Sequence, residues 1–271
     1  MDNRAIGIFD SGLGGLTTVK ELHRLLPGEH LVYFGDTGRV PYGNRSRETI
    51  RKYTMQDIGF LRRHDVKLII AACGTASSMI TAEMIEEAGV PFSGVVLPAA
   101  QAACAASATG RIGVIGTTAT VRSSAYGRAI RAINPNAHMF GNACPLFVPL
   151  VENGFIQPDN EITTKVAEIY LKPMIAGDID TLILGCTHYP LIYDIINRVL
   201  GYKVTLIDPG KQVARWAESY LVSNGLLRES GDDGGCEFYV SDSPDGFSDT
   251  AGIFLGGDIK GSVTQIDIEM L

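Results

Sequence analysis

The chain has 271 residues, a mass of 29.1 kDa and a formal net charge of −7, with 45% apolar and 20% charged residues. This composition is typical of a globular protein and excludes an intrinsically disordered chain. The acidic balance argues against a protein that binds the phosphate backbone of nucleic acid, because such proteins concentrate Lys and Arg. At about 150 residues per domain, the length predicts one or two domains.

The sequence features of membrane and secreted proteins are also missing. No stretch approaches the roughly 18 consecutive apolar residues of a membrane-spanning helix, and residues 1–10 lack the apolar core of a signal peptide. The cysteines are odd in number and scattered, at positions 73, 104, 144, 186 and 236, without a CxxC pair. We therefore expect a cytoplasmic protein with reduced thiols, no membrane partner and no nucleic-acid partner.

Short apolar runs alternate with amphipathic segments along most of the chain. Strands are predicted at residues 5–9, 31–34, 66–72, 111–117 and 204–207, and a further strand ends just before Cys186. Helices are predicted at residues 16–26, 46–64, 76–88, 120–132 and 211–222, and β-like segments at 237–240 and 253–255. The alternation is typical of βαβ units, so we predict an α/β fold with parallel sheets.

Part of this pattern occurs twice. Residues 112–117 echo residues 6–11, and residues 181–188 echo residues 67–75 in the same order and at a similar spacing. The repeat indicates a duplicated α/β half. In each half a cysteine follows the carboxyl end of a strand, which is where open α/β sheets bind their ligands.

A glycine-rich loop, residues 12–15, follows the first predicted strand, and Asp36 ends the second. These positions invite a dinucleotide interpretation, but the G-x-G-x-x-G motif needs glycine where this chain has Thr17. The Lys-Ser/Thr pair of a P-loop is also missing. A tight turn from strand to helix accounts for the glycines, and a nucleotide-binding enzyme stays as an alternative.

Cys73 and Cys186 stand out because each lies between a strand and a predicted helix. Backbone N–H groups and the helix dipole would face each sulfur and lower the thiol pKa from about 8.5 towards neutrality. Two such thiols predict a pair of acid–base groups on opposite sides of one carbon, as interconversion of mirror images requires. Cys104 and Cys144 are interpreted as small buried residues, and Cys236 as an incidental loop residue.

A metal site is not predicted. Cys186 and His188 could supply two ligands, but a structural zinc site needs four, and no second cluster with suitable spacing exists in the sequence.

Six segments of the chain resemble motifs of the glutamate racemase family, in that family's order. The segments are residues 9–16, 35–37, 40–43, 72–76, 151–154 and 185–190. The resemblance spans residues 5 to about 210 and implies two similar doubly wound α/β domains related by pseudo-twofold symmetry, with the active site in the cleft between them. It places the first domain at residues 1–97 plus 209–271 and the second at 98–208.

The resemblance also implies an enzyme that racemises glutamate, a small-molecule substrate, without PLP, metal or nucleotide. Such enzymes supply D-glutamate for peptidoglycan and commonly form homodimers. Carried over by position, Cys73 and Cys186 are the catalytic thiols, which serve the D- and the L-enantiomer respectively. Asp10 assists Cys73, and Glu152 and His188 assist Cys186. The substrate-binding positions are Asp10, Ser11, Pro41, Tyr42, Gly43, Gly74, Thr75, Thr187 and His188.

The assisting residues also have simpler interpretations. Asp10 could cap the helix that follows it, His188 could be a turn residue, and Glu152 precedes an Asn-Gly pair that is typical of turns.

One position departs from the family pattern. Gly74 stands where the family usually has Asn, so a side-chain amide that would bind substrate is missing. Loss of one such hydrogen bond costs roughly 0.5–1.5 kcal/mol, or 1.5–3 kcal/mol with a charged partner. A related racemase acting on aspartate is therefore an alternative, and a non-catalytic small-molecule-binding protein is an alternative from another class.

Overall fold

A computed structural model describes residues 1–229, 234–259 and 261–268 of the chain. The strands are β1 Ala5–Asp10, β2 Leu31–Gly35, β3 Val66–Ala71, β4 Phe92–Gly94, β5 Arg111–Gly116, β6 His138–Ala143, β7 Thr181–Gly185, β8 Thr205–Ile207, β9 Cys236–Val240 and β10 Val263–Gln265. The helices are α1 Leu16–Leu25, α2 Arg47–Arg62, α3 Gly74–Ser77, α4 Ala82–Ala88, α5 Val96–Ala106, α6 Thr118–Ser123, α7 Ala125–Ile133, α8 Phe147–Glu152, α9 Glu161–Ala176, α10 Tyr193–Val199, α11 Pro209–Ser223 and α12 Pro244–Leu255.

The strands form two parallel sheets with the same core topology. The first is six-stranded, in the order β10-β9-β2-β1-β3-β4, and the second is four-stranded, in the order β6-β5-β7-β8. The run β2-β1-β3-β4 is matched by β6-β5-β7-β8, strand for strand. The prediction of an α/β fold with two similar halves is confirmed, and the sequence repeat lies on β1 and β3 of the first sheet and on β5 and β7 of the second.

Both faces of each sheet are covered, which explains the continuous apolar runs of the central strands. In β1, Ile6 and Ile8 pack with α1, α11 and α12, while Phe9 packs on the opposite face with α2. In the second sheet, Ile112 and Val114 pack against α5 and α7, and Leu182 and Leu184 against α9 and α10. Alternate side chains thus reach separate cores.

The two sheets also share apolar packing. One core cluster runs from β1 and α1 through Tyr189 to β7 and α10, and α11 packs against both α1 and α5. The strands of the first sheet lie within residues 5–94 and 236–265, and those of the second within 111–207. These limits are compatible with domains of 1–97 plus 209–271 and 98–208, which stay a prediction; residues 230–233, 260 and 269–271 lie outside the described residues.

Two predicted helices are interrupted. The helix predicted at 76–88 is α3 and α4, because Thr81 adopts an extended backbone and its hydroxyl accepts a hydrogen bond from Met84 N at 3.4 Å, starting a new helix. The helix predicted at 120–132 is α6 and α7, separated by Ser124 in the left-handed conformation with φ 55°.

The carboxyl-terminal part corrects two further predictions. The β-like segment at 253–255 is wrong, because these residues end α12, which Ser243 caps and Pro244 begins; Phe254 turns into the core. Cys236 is not an incidental loop residue, because it begins β9 and is 8% exposed. Strand β10 was not predicted.

Within the described ranges, no helix is long and apolar enough to cross a bilayer.

Candidate active site

A cavity of about 360 Å³ lies at the carboxyl ends of the central strands of both sheets. The loops after β1 and β3 reach it from the first sheet, and the loops after β5 and β7 from the second. The structure brings most of the predicted site residues to this cavity. They are Ser11, Pro41, Tyr42, Gly43, Cys73, Gly74, Thr75, Glu152, Cys186, Thr187 and His188.

Cys73 follows β3 on the wall formed by the first sheet. Its Sγ donates to Ser11 Oγ at 3.4 Å and accepts from Ala76 N at 3.5 Å. Burial, together with the nearby Asp10, raises the pKa of this thiol to about 12. The expectation of a lowered pKa at this position is wrong, because α3 has only four residues and burial outweighs its N–H groups.

Asp10 lies behind this wall as the last residue of β1, 1% exposed. Its Oδ2 accepts from Gly12 N at 2.9 Å, whereas Oδ1 has no hydrogen-bond partner among the described residues. Burial raises the pKa of this carboxyl, so it takes up a proton more readily than an exposed aspartate. The interpretation as a helix cap is wrong, because α1 begins after Gly15 and no side chain caps it.

Cys186 follows β7 on the opposite wall, together with a histidine and a carboxylate. His188 Nδ1 lies 3.8 Å from Cys186 Sγ, and Nε2 donates to Glu152 Oε1 at 2.9 Å. Burial lowers the pKa of His188, but its hydrogen bonds to Cys186 and Glu152 outweigh burial and raise the pKa to about 10. A positively charged imidazolium therefore sits between the sulfur and the carboxylate.

The packing of His188 includes a residue that the sequence did not reveal. The ring of Phe254, in α12, lies edge-on to the imidazole at 5.1 Å between centroids. A helix of the carboxyl-terminal segment thus fixes the orientation of a residue that follows β7.

The wall around Tyr42 is held by a buried polar network. Tyr42 Oη donates to Asp36 Oδ2 and, at 3.1 Å, to Asp57 Oδ2. Arg39 Nε donates to Asp36 Oδ2 at 2.7 Å, and Ser241 Oγ to Asp36 Oδ1 at 2.8 Å. With both oxygens engaged and no exposed surface, Asp36 is not open to a ribose, which argues against the dinucleotide interpretation.

Two glycines permit the walls to meet. A Cβ on Gly14 would lie 2.0 Å from Thr187 Oγ1, and a Cβ on Gly74 would lie 2.4 Å from the carbonyl oxygen of Gly185. Both separations are well inside van der Waals contact, so no side chain fits without movement. The glycine loop after β1 is therefore used for close packing between the halves.

Thr117 is a site residue that sequence reasoning missed. Its hydroxyl lies 2.9 Å from that of Thr75 and joins the ends of β5 and β3 across the cavity. The sequence repeat could have identified it, because Thr117 aligns with Ser11 when residues 112–117 are aligned with residues 6–11. Further lining residues that were missed are Gly12, Leu13, Val40, Asn44, Thr118, Pro145, Val148 and Pro149.

The cavity wall bears on which cofactors fit. No lysine is among the described residues that line the cavity, and lysine is the residue that anchors PLP as a Schiff base. The described part of the chain also has no cluster of three metal-ligating side chains. The absence of a cofactor stays a prediction.

The sheets thus present one cysteine each to a shared cavity, and each sulfur has its own neighbouring acid–base group. This arrangement defines an α/β protein suited to proton transfer on the two sides of a small ligand.

Comparisons with known proteins agree with this class. A family model described as Asp/Glu/Hydantoin racemase matches residues 6–217. The glutamate racemase of Geobacter metallireducens is 45% identical over 98% of this chain and 97% of its own length. The crystal structure of glutamate racemase from Francisella tularensis in complex with D-glutamate has a TM-score of 0.92, with 39% identity and full coverage of both chains. That of the Thermus thermophilus enzyme with beta-chloro-D-alanine has a TM-score of 0.89, with 41% identity and full coverage of both.

The chain belongs to the Asp/Glu/hydantoin racemase family. The resemblance read from its six motifs is confirmed.

Proposed function

We propose that this chain is a glutamate racemase that interconverts L- and D-glutamate with two cysteine thiols and no cofactor. The observation that carries the proposal is that Cys73 and Cys186 line one cavity from separate sheets. Inversion at carbon needs a proton carrier on each face, and thiols on facing walls provide one for each.

In the L-to-D direction, the thiolate of Cys186 removes the α-proton of glutamate. The C–H bond breaks, an S–H bond forms at Cys186, and the electron pair spreads onto the α-carboxylate. The thiol of Cys73 then delivers its proton to the opposite face, so its S–H bond breaks and a new C–H bond forms. The reverse direction exchanges the roles of the two sulfurs.

The neighbours of each sulfur support these roles. The His188 imidazolium stabilises negative charge on Cys186 and is held in place by Glu152. Asp10, whose pKa is raised by burial, lies near Cys73 and assists its proton exchange. Removing one member of such an acid–base pair typically costs about 10²–10⁴-fold in rate.

Neutral donors hold the substrate. The cavity is lined by the hydroxyls of Ser11, Thr75, Thr117, Thr118 and Thr187 and by the amide of Asn44. These groups and nearby backbone N–H groups bind the two carboxylates and stabilise the charge that develops on the α-carboxylate. Asn44 supplies a side-chain amide in a cavity where Gly74 supplies none.

Glutamate is the preferred substrate over aspartate because the relatives of 43–46% identity that span nearly the whole chain are named glutamate racemases. We further propose, as the resemblance of the six motifs implies, that the chain works in the cytoplasm as a homodimer and supplies D-glutamate for peptidoglycan.

The test is to follow the loss of ellipticity by circular dichroism with L-glutamate, D-glutamate and L-aspartate as substrates. We expect racemisation of both glutamate enantiomers and at least tenfold lower activity on aspartate. Cys73→Ser and Cys186→Ser should each abolish glutamate racemisation, because a serine hydroxyl does not ionise near neutral pH. Cys104→Ser is the matched control, since Cys104 lies outside the cavity and donates weakly to Ile130 O. Racemisation retained in either cavity variant would reject the two-thiol mechanism.

A further inference from the structure

A tyrosine outside the cavity lining holds the loop that follows β1. Tyr33, in the middle of β2, is fully buried, and its Oη donates to the carbonyl oxygen of Gly12 at 2.7 Å. Burial raises the pKa of Tyr33 well above its ordinary value, so the hydroxyl keeps its proton and acts as a donor. Because Tyr33 is not among the residues that line the cavity, this hydroxyl acts on the site only through the loop.

The loop packs tightly around the Tyr33 side chain. A Cβ on Gly15 would lie 3.0 Å from Tyr33 Oη and 2.5 Å from Asp10 Cβ. A Cβ on Gly35 would lie 2.5 Å from the Gly12 carbonyl oxygen and 3.2 Å from Tyr33 Cε1. The Gly12 carbonyl is therefore enclosed between the phenol and the end of β2.

The Gly12 peptide connects Tyr33 to the groups around Cys73. Gly12 N donates to Asp10 Oδ2 at 2.9 Å, while its carbonyl oxygen accepts from Tyr33. Ser11 lies between these two anchored residues, and its Oγ accepts from Cys73 Sγ at 3.4 Å. The positions of the Ser11 hydroxyl and the Asp10 carboxyl group thus depend on the hydrogen bond from the phenol.

Aromatic packing fixes the phenol itself. The rings of Phe238 in β9 and Phe247 in α12 lie 6.1 and 6.2 Å from the Tyr33 ring, centroid to centroid. Both phenylalanines are 2% exposed, so the ring between them has little freedom to turn away from the loop. Precise catalytic geometry requires supporting side chains that are locked by packing in this way.

The other end of the loop has a separate anchor. Thr17 Oγ1 donates to the carbonyl oxygen of Gly14 at 2.9 Å and lies 3.3 Å from that of Thr187, the residue after Cys186. The part of the loop that faces the Cys186 wall is therefore held by α1, whereas the part that faces Cys73 is held by Tyr33.

We propose that Tyr33 is a positioning residue for proton transfer at Cys73 and acts through the Gly12 peptide on Ser11 and Asp10. In the proposed racemase function, on which this inference rests, Cys73 removes the α-proton of D-glutamate. Tyr33 therefore supports that transfer and not the transfer at Cys186.

The test compares the wild type with Tyr33→Phe, using initial rates with unlabelled and α-deuterated D- and L-glutamate in H2O. If transfer at Cys73 becomes slower, the isotope effect on kcat/KM should rise with D-glutamate and fall with L-glutamate, because the Cys73 step then limits both directions. We expect kcat/KM to fall roughly three- to tenfold in both directions, which is the effect of losing one hydrogen bond. An isotope effect is a ratio of rates, so a smaller folded fraction of the variant does not change it.

Tyr239→Phe is the matched control. Tyr239 lies in the neighbouring strand β9, and its Oη donates to Glu237 Oε2 at 2.7 Å, outside the cavity. Loss of this hydroxyl should leave kcat/KM and both isotope effects unchanged.

Two results with Tyr33→Phe would overturn the inference. Unchanged isotope effects would make Tyr33 a structural residue only, and a larger isotope effect with L-glutamate would show that the phenol acts on the Cys186 wall. A wild-type protein that fails to racemise glutamate would instead reject the proposed function, and the role of Tyr33 with it.

Discussion

The two thiols of the cavity differ in the charge of their neighbours. Cys186 Sγ lies 3.8 Å from the Nδ1 of an imidazolium, whereas Cys73 Sγ donates to Ser11 Oγ and lies near the buried Asp10. A cation stabilises a thiolate, and burial beside a carboxyl group opposes one. The two sulfurs are therefore not equivalent, because a cation lies beside Cys186 and a carboxyl group beside Cys73.

This asymmetry cannot change the balance between the enantiomers. L- and D-glutamate have equal free energies in solution, so kcat/KM must be the same in the two directions at every pH. Unequal neighbours can make kcat differ between the two enantiomers, and KM must then differ between them by the same factor.

The charge on His188 predicts a pH-dependent contribution to stability. The folded pKa is about 10, above the ordinary value of 6.5, so this contribution is fully present below about pH 6.5 and is lost as the pH rises through about 10. The free energy of unfolding of the wild type minus that of His188→Gln should therefore decrease between pH 6.5 and 10. Urea unfolding of both proteins at pH 6, 8 and 10 measures this difference in unfolding free energy. A difference that stays constant or grows with pH would show that His188 is neutral in the folded protein.

At the scale of elements, the site depends on strand ends that meet closely. Gly74 begins α3, and Gly185 ends β7 in the other sheet. Substituting Gly74→Ala would place a Cβ 2.4 Å from the Gly185 carbonyl oxygen and push the two walls apart. We expect a loss of about 1–3 kcal/mol in unfolding free energy and a lower kcat, because the sulfurs move with the walls.

Gly28→Ala is the matched control, since a Cβ there would meet no atom within 4 Å. Gly28→Ala should have nearly the same unfolding temperature as the wild type in thermal unfolding and nearly the same kcat in the racemisation assay. If Gly74→Ala were equally benign, the close approach of the two strand ends would not be needed for the site.

Helix α2 supports the site through Asp57, which is fully buried and bonds to the Tyr42 hydroxyl at 3.1 Å. The other oxygen of Asp57, Oδ1, accepts from Arg39 Nη2 at 3.3 Å, whereas Asn has the same shape but only one oxygen acceptor. Asp57→Asn should disturb Tyr42 and the 41–43 wall and raise the KM for glutamate several-fold with little change in kcat. Asp65→Asn, at an exposed turn that Asn tolerates, is the control. A fall in kcat at constant KM would contradict this positioning role.

At the scale of the whole molecule, the central strands and the helices that follow β1, β2, β3, β5 and β8 could be predicted because both faces of the central strands are buried. The runs of the central strands are mostly apolar, with one charged residue each in β1 and β3, and the repeat placed Cys73 and Cys186 at equivalent strand ends. Strand β6 and helices α5, α8, α9 and α10 were not predicted. The short strands β4 and β10, of three residues each, carry no such signal. The prediction of a β-like segment at 253–255 was wrong because three consecutive apolar residues are compatible with either a strand or a helix.

The missing parts of the site depend on contacts between segments far apart in the chain. Phe254 reaches His188 and Thr117 reaches Thr75 only after both sheets have formed. The Cys73 pKa also followed burial, which a local sequence pattern does not contain. Local pattern thus identified the thiols, and tertiary packing determined their environments.

The central claim is that two thiols act on opposite faces of the same carbon. The most direct test is to convert L-glutamate in D2O, stop at low conversion, separate the enantiomers and measure α-deuterium in each by mass spectrometry. We predict that the D-glutamate formed carries one α-deuteron from Cys73, while the remaining L-glutamate keeps its α-proton, because Cys186 returns the proton that it removed. D-glutamate that retains the original α-proton would show that one group serves both faces, and would contradict the account.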